Sequence, residues 1–388
     1  MRNIGLAFLC AALCTTAALA QVASEVARPD AESVDIDSID ATSTPPVAYI
    51  YVASGNITAY SAASNGKLTQ IPGSPFPGSV SYLAGNGRYL FGSTLSATDI
   101  ESYAIESNGA LRYVASENVV SADSGCGNAN QINLDHTGSA LYDLAIYGSD
   151  CSNNTYETFK IDDSTGKLSF LGNAGGSESI EEPLTFTGND KYAYTTNCYH
   201  FYGDISSFRR NSNGSLTQLS FNIPFPSASA GSYCGFAQAA DPVEHVAFAM
   251  QAFDGPGNPS TGIQLGTYSV ASNGNLTTTS TQANMPSVAV GNLTVINMSP
   301  SGKLLAVAGS NGLEVFHFNG ASPVTHYTGL LTSSEVDQIF WDKANHLYAI
   351  GTAANKLWVF TITPTGYSPA PGSPYTVPNP MGLKVQTL

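Results

Sequence analysis

The chain has 388 residues, of which 11% are charged and 43% are hydrophobic, so it is too apolar to be disordered. Its 37 glycines and 21 prolines follow no collagen-like period, and the balance favours many short strands joined by turns. The 14 basic and 29 acidic residues give a formal charge of -15. This charge argues against nucleic acid, an anionic membrane surface or a phosphorylated substrate as partner.

The first twenty residues have the pattern of a secretion signal. Arg2 precedes an apolar run from Ile4 to Leu13, and Ala18-Leu19-Ala20 fits a cleavage site after Ala20. The run is too short to span a bilayer, and no later segment is long and apolar enough to do so. We therefore predict an exported protein, periplasmic or secreted. A lipid anchor at Cys10 or Cys14 is the alternative.

Residues 21–46 are rich in acidic side chains and show neither helical nor alternating periodicity. We predict an acidic disordered tether, and a partner-binding tail is the other interpretation. It ends at Pro45-Pro46, where the folded domain is expected to begin.

A repeated phrase then occurs seven times, in which an aromatic residue ends one strand and a glycine turn follows about six residues later. The aromatic residues are Tyr60, Tyr103, Phe159, Phe208, Tyr268, Phe316 and Phe360. The turn glycines are Gly66, Gly109, Gly166, Gly214, Gly274, Gly320 and Gly366. Five of these turns are Asn-Gly, the strongest short-range hairpin signal, because both residues tolerate positive φ.

Each phrase follows another apolar strand, and six of these strands are preceded by a further strand and a polar turn. The first repeat lacks that inner strand, but a strand from Met381 to Thr387 remains at the end of the chain. The phrase Pro371-Gly372-Ser373-Pro374 before it matches Pro72-Gly73-Ser74-Pro75 before the inner strand of the second repeat. The sequence thus predicts an all-β fold over residues 47–388, a seven-bladed β-propeller of four-stranded antiparallel blades. The C-terminal strand completes blade 1.

The tandem pattern resembles the lactonase-type seven-bladed propellers, a family that includes bacterial 6-phosphogluconolactonase and many exported proteins. The resemblance rests on Ser299-Pro300-Ser301-Gly302-Lys303, on the Asn-Gly-x-Leu turns and on the Gly-Ser-Pro-Phe-Pro connection. It covers the chain after residue 46 and implies a hydrolase of sugar-type lactones. In that family the channel entrance commonly carries Pro-His, whereas this chain has Glu181-Glu182-Pro183-Leu184 and no histidine at that position in any blade.

Counting eight residues back from each polar turn places one residue per blade at the channel entrance. These are Ser79, Asn130, Glu182, Phe236, Thr294 and Asp337, with Met381 near the equivalent place in blade 1. Glu182 and Asp337 are candidate catalytic bases, with Asn130 or a bound cation polarising the substrate carbonyl. The same two carboxylates are a candidate Ca²⁺ site. The alternative is that acidic residues line a water-filled channel without catalysis.

Four cysteines remain after removal of the signal, and all fall in loops on the entrance face. We predict the pairs Cys126–Cys151 and Cys198–Cys234, with Cys151–Cys198 as the alternative.

Ser79, Thr294, His200, Tyr199 and Tyr233 are candidate ligand-binding residues, the last three as an aromatic wall for a sugar or peptide. Packing between blades is the other interpretation of that wall. Two functions follow: a lactone hydrolase, or a non-catalytic propeller that binds a protein or glycan. We expect a monomer with no nucleic-acid partner in either case.

Overall fold

The computed structural model describes residues 44–119, 131–147, 153–177, 182–199 and 202–388. The predicted signal peptide and nearly all of the tether lie outside this range. Within these ranges the chain forms strands and turns, and no helix long and apolar enough to cross a membrane is present.

The described residues form 28 strands that succeed one another along the chain. The strands of blades 1 and 2 are β1 (Ala48–Ala62), β2 (Leu68–Gln70), β3 (Phe76–Gly85), β4 (Tyr89–Thr94), β5 (Asp99–Ile105) and β6 (Leu111–Asn118). Those of blades 3 and 4 are β7 (Gln131–Leu134), β8 (Ala140–Tyr147), β9 (Asn153–Ile161), β10 (Leu168–Ser177), β11 (Thr185–Phe186), β12 (Tyr192–Tyr199), β13 (Tyr202–Arg210) and β14 (Leu216–Leu219).

The remaining blades continue the same pattern. Their strands are β15 (Ser232–Ala240), β16 (His245–Phe253), β17 (Gln264–Val270), β18 (Leu276–Thr277), β19 (Leu293–Met298), β20 (Leu304–Gly309), β21 (Gly312–Asn319), β22 (Ser322–His326), β23 (Gln338–Trp341), β24 (His346–Gly351), β25 (Lys356–Thr363), β26 (Gly366–Pro369), β27 (Tyr375–Thr376) and β28 (Gly382–Thr387).

Five blades are separate antiparallel sheets built on four consecutive strands, β7–β10, β11–β14, β15–β18, β19–β22 and β23–β26. Blades 1 and 2 form one larger sheet because β1 also bridges to β3. Strand β1 folds back on itself at Gly55, and the Val47 amide donates to the Ala62 carbonyl at 2.9 Å across the two halves. It therefore supplies two of the four strands of blade 1.

The C-terminal strand closes the ring as the sequence predicts. Strand β28 pairs with the first half of β1 in an unbroken antiparallel register from Ala48–Thr387 to Ala53–Gly382. Around the centre, the inner strands β28, β3 and β7 lie side by side, as do β11, β15, β19, β23 and β28. The inner strands of blades 3 and 4 are also neighbours, because the Asn133 side-chain amide donates to the Leu184 carbonyl at 2.7 Å.

The hydrophobic core is divided among the blade interfaces. The described residues form seven buried clusters, and each draws its side chains from two neighbouring blades. The cluster between blades 7 and 1 joins Tyr348 and Val359 to Ile50, Leu383 and Val385. A closed ring of seven blades needs seven interfaces, and the seven clusters match that number.

The Asn-Gly turns use their two residues differently from the prediction. Only the glycine takes a positive φ, as at Gly66 (79°), while the Asn65 side-chain oxygen accepts the Lys67 amide at 3.1 Å. Position 109 also requires a residue without a side chain, because a Cβ on Gly109 would lie 2.6 Å from the Tyr49 ring. Its carbonyl accepts a hydrogen bond from Tyr51 of the preceding blade. These turns therefore tie neighbouring blades together.

The predicted Cys198–Cys234 disulfide is present and joins the end of β12 in blade 4 to the start of β15 in blade 5. It lies on the face where the chain enters the inner strands. The pair Cys126–Cys151 lies outside the described residues.

Replacing Cys198 and Cys234 together by serine is expected to lower the free energy of unfolding by about 3–4 kcal/mol, because the bond closes a loop of 36 residues. Urea unfolding without reductant measures the effect. The matched control is the double serine variant at Cys126 and Cys151, which measures the contribution of the other predicted disulfide by itself. An unchanged midpoint in the first variant would contradict the prediction.

Candidate functional site

The channel entrance is marked by a bulge in the inner strands. In blades 5 and 6 the register shifts at Phe236 and Thr294, so that each inner strand carries one extra residue there. In blade 7, Asp337 and Gln338 both face Ile350 of the second strand. We call these bulge positions the entrance ring. In the described residues it comprises Ser81, Glu182, Phe236, Thr294, Asp337 and Met381.

Blade 2 departs from the counted spacing by two residues. Its inner hairpin turns between Gly85 and Leu90, whereas that of blade 6 turns between Met298 and Leu305. The shorter turn places Ser81 in the entrance ring. The prediction that Ser79 lies there is wrong, since Ser79 is exposed before the bulge and its carbonyl accepts the Leu95 amide at 2.8 Å.

Below the entrance ring, successive side chains of an inner strand point to opposite sides of its sheet. In blade 2, Leu83 packs into the core between blades 1 and 2, whereas Tyr82 and Ala84 pack against the core between blades 2 and 3. Leu83 and Ala84 also line the channel. The inner strands of all seven blades line one cavity of about 810 Å³. It extends from Glu182 and Thr294 at the entrance ring to the turns at the opposite face.

Three blades contribute a phenol and two carboxylates near the entrance ring, and of these Glu182 lines the cavity. Tyr82 comes from blade 2, Glu182 from blade 4 and Asp337 from blade 7. Burial raises the pKa of the Tyr82 hydroxyl, and the nearby charges of Asp337 and Glu182 raise it further. The phenol therefore stays protonated at neutral pH and can donate a hydrogen bond.

Glu182 combines a fixed backbone with a free carboxylate. Its amide donates to the Thr196 carbonyl, and its own carbonyl accepts from the Tyr156 hydroxyl and, at 2.6 Å, from the Thr195 hydroxyl. No group in the described part of the chain donates to its carboxylate. Burial raises the carboxyl pKa to about 7. The group therefore takes up and releases a proton near neutral pH.

Asp337 is held more tightly. One carboxylate oxygen accepts the Thr352 amide at 2.6 Å, and the Asp337 amide donates to the Ile350 carbonyl at 2.8 Å. The Thr294 hydroxyl donates to the Val336 carbonyl just before it, at 2.5 Å. This network fixes Asp337 against blade 6 and the second strand of its own blade, and leaves one oxygen for a ligand.

The other predicted binding residues have separate positions. Thr294 and Phe236 lie in the entrance ring, where the Phe236 ring packs against Phe253. Tyr233 is 2% exposed in the core between blades 4 and 5, and its hydroxyl donates to Gln264 at 2.6 Å. The packing interpretation therefore describes Tyr233, and it cannot form part of an open wall.

Several predicted residues lie beyond the described ranges. Asn130 and His200 are among them, and the Tyr199 side chain is also outside, although its backbone ends β12. Their suggested roles stay predictions.

No family model and no curated protein matches the sequence. Solved structures do match over nearly their whole length. A proposed 6-phosphogluconolactonase from Bacteroides uniformis has a TM-score of 0.67 at 15% identity, over 87% of this chain and 99% of that one. A second such protein, from Bacteroides fragilis, has a TM-score of 0.63 at 14% identity over 87% and 97%.

The periplasmic gluconolactonase of Pseudomonas aeruginosa has a TM-score of 0.63 at 12% identity and covers 88% of this chain and 99% of its own. This chain has the fold of the lactonase-like β-propellers. The architecture that the repeats predict is thereby confirmed. At such low identity the similarity extends to the fold alone.

Sequence reasoning missed three residues of the inner strands. Tyr82 and Gln338 follow the bulges directly, and Lys384 lies two residues further along β28 than Gly382. Gln338 locks blade 7 to the closing strand, because its amide donates to the Met381 carbonyl at 3.0 Å and accepts the Leu383 amide at 2.8 Å. Once a bulge is located, alternation identifies all three.

Glu182 and Asp337 remain the candidate residues for a cation in this β-propeller. Ca²⁺ takes six to eight oxygen ligands, mostly carboxylates, carbonyls and water. In the part of the chain that the structure describes, no group of three or more His, Cys, Asp or Glu side chains is placed to hold a metal ion. A calcium ion would thus rely on water and neutral oxygens for most of its ligands, and the site stays a prediction.

Glu182→Gln is expected to stabilise the protein at alkaline pH. The carboxyl pKa rises from 4.5 unfolded to about 7 folded, so ionised Glu182 costs stability once the pH exceeds both values. Allowing for solvent screening at this half-buried site, the variant should gain about 1–2 kcal/mol near pH 8 and nothing near pH 4. Urea unfolding at both pH values measures this, and an equal effect at both would contradict it.

Proposed function

We propose that this protein is an exported hydrolase of sugar-type lactones, with Glu182 as the general base at the entrance ring. The observation that carries the proposal is the Glu182 carboxyl, which lines the cavity at the entrance ring with a pKa of about 7 and lies near enough to Tyr82 for its charge to raise the pKa of the phenol. A general base with a pKa near the working pH is largely ionised and is still basic enough to accept a proton from water.

Hydrolysis needs one water and one proton carrier. Ionised Glu182 removes a proton from a water while that water attacks the lactone carbonyl carbon, giving a tetrahedral oxyanion. The protonated Glu182 then returns the proton to the ring oxygen as the bond between that oxygen and the carbonyl carbon breaks. The product is the open-chain hydroxy acid, and the carboxyl group returns to its starting state.

Tyr82 and Asp337 supply stabilisation and orientation. The protonated Tyr82 hydroxyl donates to the oxyanion as its charge develops, and a preorganised donor in a site shielded from water is effective there. Asp337 has one oxygen engaged by Thr352, so the other can orient the attacking water or a sugar hydroxyl. Asn130 remains a candidate second donor to the carbonyl.

The cavity and charge favour a small neutral sugar lactone. The cavity volume of about 810 Å³ lies in the range typical of small-molecule sites. Two carboxylates at the entrance repel a phosphorylated substrate. Export is supported by the signal-like first twenty residues, by the Cys198–Cys234 disulfide and by the periplasmic location of one structural neighbour. The protein is proposed to act as a monomer without nucleic acid.

A lactone panel tests the proposal. Gluconolactone and related neutral sugar lactones are incubated with the wild type, Glu182→Gln and Asp337→Asn, each with and without a chelator.

Glu335→Gln is the matched control, because Glu335 is an exposed carboxylate two residues from Asp337. We expect hydrolysis above background in the wild type and the control, and strong losses in the two site variants. Background rates in every sample would overturn the hydrolase and favour a binding propeller. A chelator-sensitive rate would support the calcium prediction.

A further inference from the structure

The lower half of the channel contains a lysine without an acidic partner. Lys384 lies on the closing strand β28 and lines the cavity, and its ammonium is 5.5 Å from the centre of the Phe340 ring. No carboxylate in the described residues forms an ion pair with it, and none of them shifts its pKa. Burial alone lowers the pKa of its ammonium to about 8. A half-buried cation without an acidic partner is costly, so its retention needs an explanation.

The space around Lys384 is formed by small residues of the neighbouring inner strand. Ala84 faces the channel in blade 2, and a Cβ on Gly85 would lie 3.5 Å from the Lys384 Cε. The lysine therefore extends into the channel and is not covered by a large side chain from blade 2.

Neutral polar groups occupy the same level of the channel. Thr185 and Asn297 are, like Lys384, the third residues after their bulges, and all three line the cavity. Within the described ranges, no hydrogen bond engages the side chain of Thr185 or Asn297 or the Lys384 ammonium. The Asn133 amide donates to Leu184, which leaves the Asn133 side-chain oxygen as a further acceptor. One cation surrounded by hydroxyl and amide groups can recognise an anion that also carries hydroxyls.

We propose that the lower half of the channel binds a small hydroxy acid, with its carboxylate on the Lys384 ammonium and its hydroxyls on Asn297, Thr185 and Asn133. The Phe340 ring provides an apolar face for the carbon chain. A single positive charge matches a monoanion better than a phosphate dianion, which usually requires several cations or a row of backbone amides.

This site is distinct from the entrance ring. Lys384 follows Met381 by three residues, which corresponds to roughly 10 Å along a strand. The cavity also reaches the turns of the opposite face at Asn86, Pro300 and Lys343. A ligand can therefore reach Lys384 from the face opposite to Glu182, and its binding does not require that the entrance ring be catalytic.

Direct binding measurements test the site without reference to hydrolysis. Calorimetric titrations of the wild type use gluconate, glucose and inorganic phosphate as separate probes. We expect gluconate to bind, glucose and phosphate to bind at least tenfold more weakly, and Lys384→Met to weaken gluconate binding at least tenfold. Lys343→Met is the matched control, because this exposed lysine lies at the lower mouth of the same cavity and should leave the affinity unchanged.

Further variants separate loss of the site from loss of the fold. Lys384→Met should unfold at a temperature no lower than the wild type, because it removes a half-buried charge that has no acidic partner. Asn297→Ala should weaken gluconate binding while leaving acetate binding unchanged. The proposal is overturned if Lys384→Met binds gluconate as well as the wild type, if phosphate binds more tightly than gluconate, or if gluconate does not bind. Failure of lactone hydrolysis with intact gluconate binding would overturn only the proposed function.

Discussion

Glu182→Gln is expected to lower kcat/KM for lactone hydrolysis by about two to four orders of magnitude, the usual contribution of a positioned general base. Glutamine has nearly the same shape as glutamate but cannot accept the proton of the attacking water. The protein should remain folded, because the Glu182 amide and carbonyl make the contacts with Thr196, Tyr156 and Thr195.

The pH dependence of the wild type gives an independent check on the same residue. Because burial raises the Glu182 pKa to about 7, the active ionised form accumulates as the pH rises through that value. Near pH 6 only about a tenth of the carboxyl groups are ionised, so kcat/KM should be roughly tenfold lower than on the alkaline plateau. The spontaneous hydrolysis of each lactone is subtracted at every pH.

Glu335→Gln serves as the control in this experiment, and it should retain both the rate and the pH profile. A flat wild-type profile between about pH 6 and pH 8 would exclude a base with this pKa. Retention of most of the rate by Glu182→Gln would exclude Glu182 itself, whatever the shape of the profile.

The sequence predicts the architecture well because its repeats report local structure. Each hairpin depends on a turn glycine and an aromatic strand end a few residues away, and these lie within one blade. The closing strand was also predictable, because the two Gly-Ser-Pro phrases are equivalent. In the structure the two phrases make the same hydrogen bond, because the Ser74 hydroxyl accepts the Ala59 amide and the Ser373 hydroxyl accepts the Val359 amide, both at 2.8 Å.

The entrance ring was predictable only where the blades have equal turns. Counting from the polar turn finds Glu182 and Asp337, but it fails at Ser79 because the blade 2 hairpin is two residues shorter than that of blade 6. Turn length is a local property that a common spacing cannot capture. Tyr233 shows a second limit, since an aromatic residue beside a rim cysteine can equally point into the core.

Tyr82 and Lys384 were missed for a different reason. Strand alternation assigns successive residues to opposite sides of the sheet, and an extra residue at the bulge exchanges the two sides. The bulge has no clear sequence signal, so the facing of both residues follows only from the pairing register. Tyr82 is the oxyanion donor of the proposed function, and Lys384 is the cation of the proposed anion site.

Removal of residues 381–388 is expected to abolish the folded monomer. The deletion takes away the whole of β28, whose backbone pairs with β1 from Ala48 to Ala53. It also removes Leu383 and Val385 from the core between blades 7 and 1, and burial of such side chains contributes about 1.5–3 kcal/mol each. The loss is comparable with the total stability of an ordinary domain, about 5–15 kcal/mol.

The deletion also exposes an apolar strand edge. The first half of β1 is almost fully buried, and without β28 its unpaired amides and carbonyls would face solvent as a template for pairing with other chains. We therefore expect the truncated protein to aggregate, which size-exclusion chromatography and circular dichroism can measure. Removal of Leu388 alone is the control, because this residue is 58% exposed and contributes one backbone hydrogen bond, to Val47.

A synthetic peptide of residues 380–388 distinguishes loss of strand pairing from an unrelated folding defect. If β28 acts by completing blade 1, the peptide supplied during refolding should occupy the open edge of β1 by strand addition and restore a soluble monomeric complex. A peptide with Leu383 and Val385 replaced by serine should fail, because it keeps the backbone hydrogen bonds but loses the apolar contacts with Ile50 and Tyr348. A truncated chain that stays monomeric and folded without any peptide would show that the ring is held by six interfaces and does not depend on the seventh.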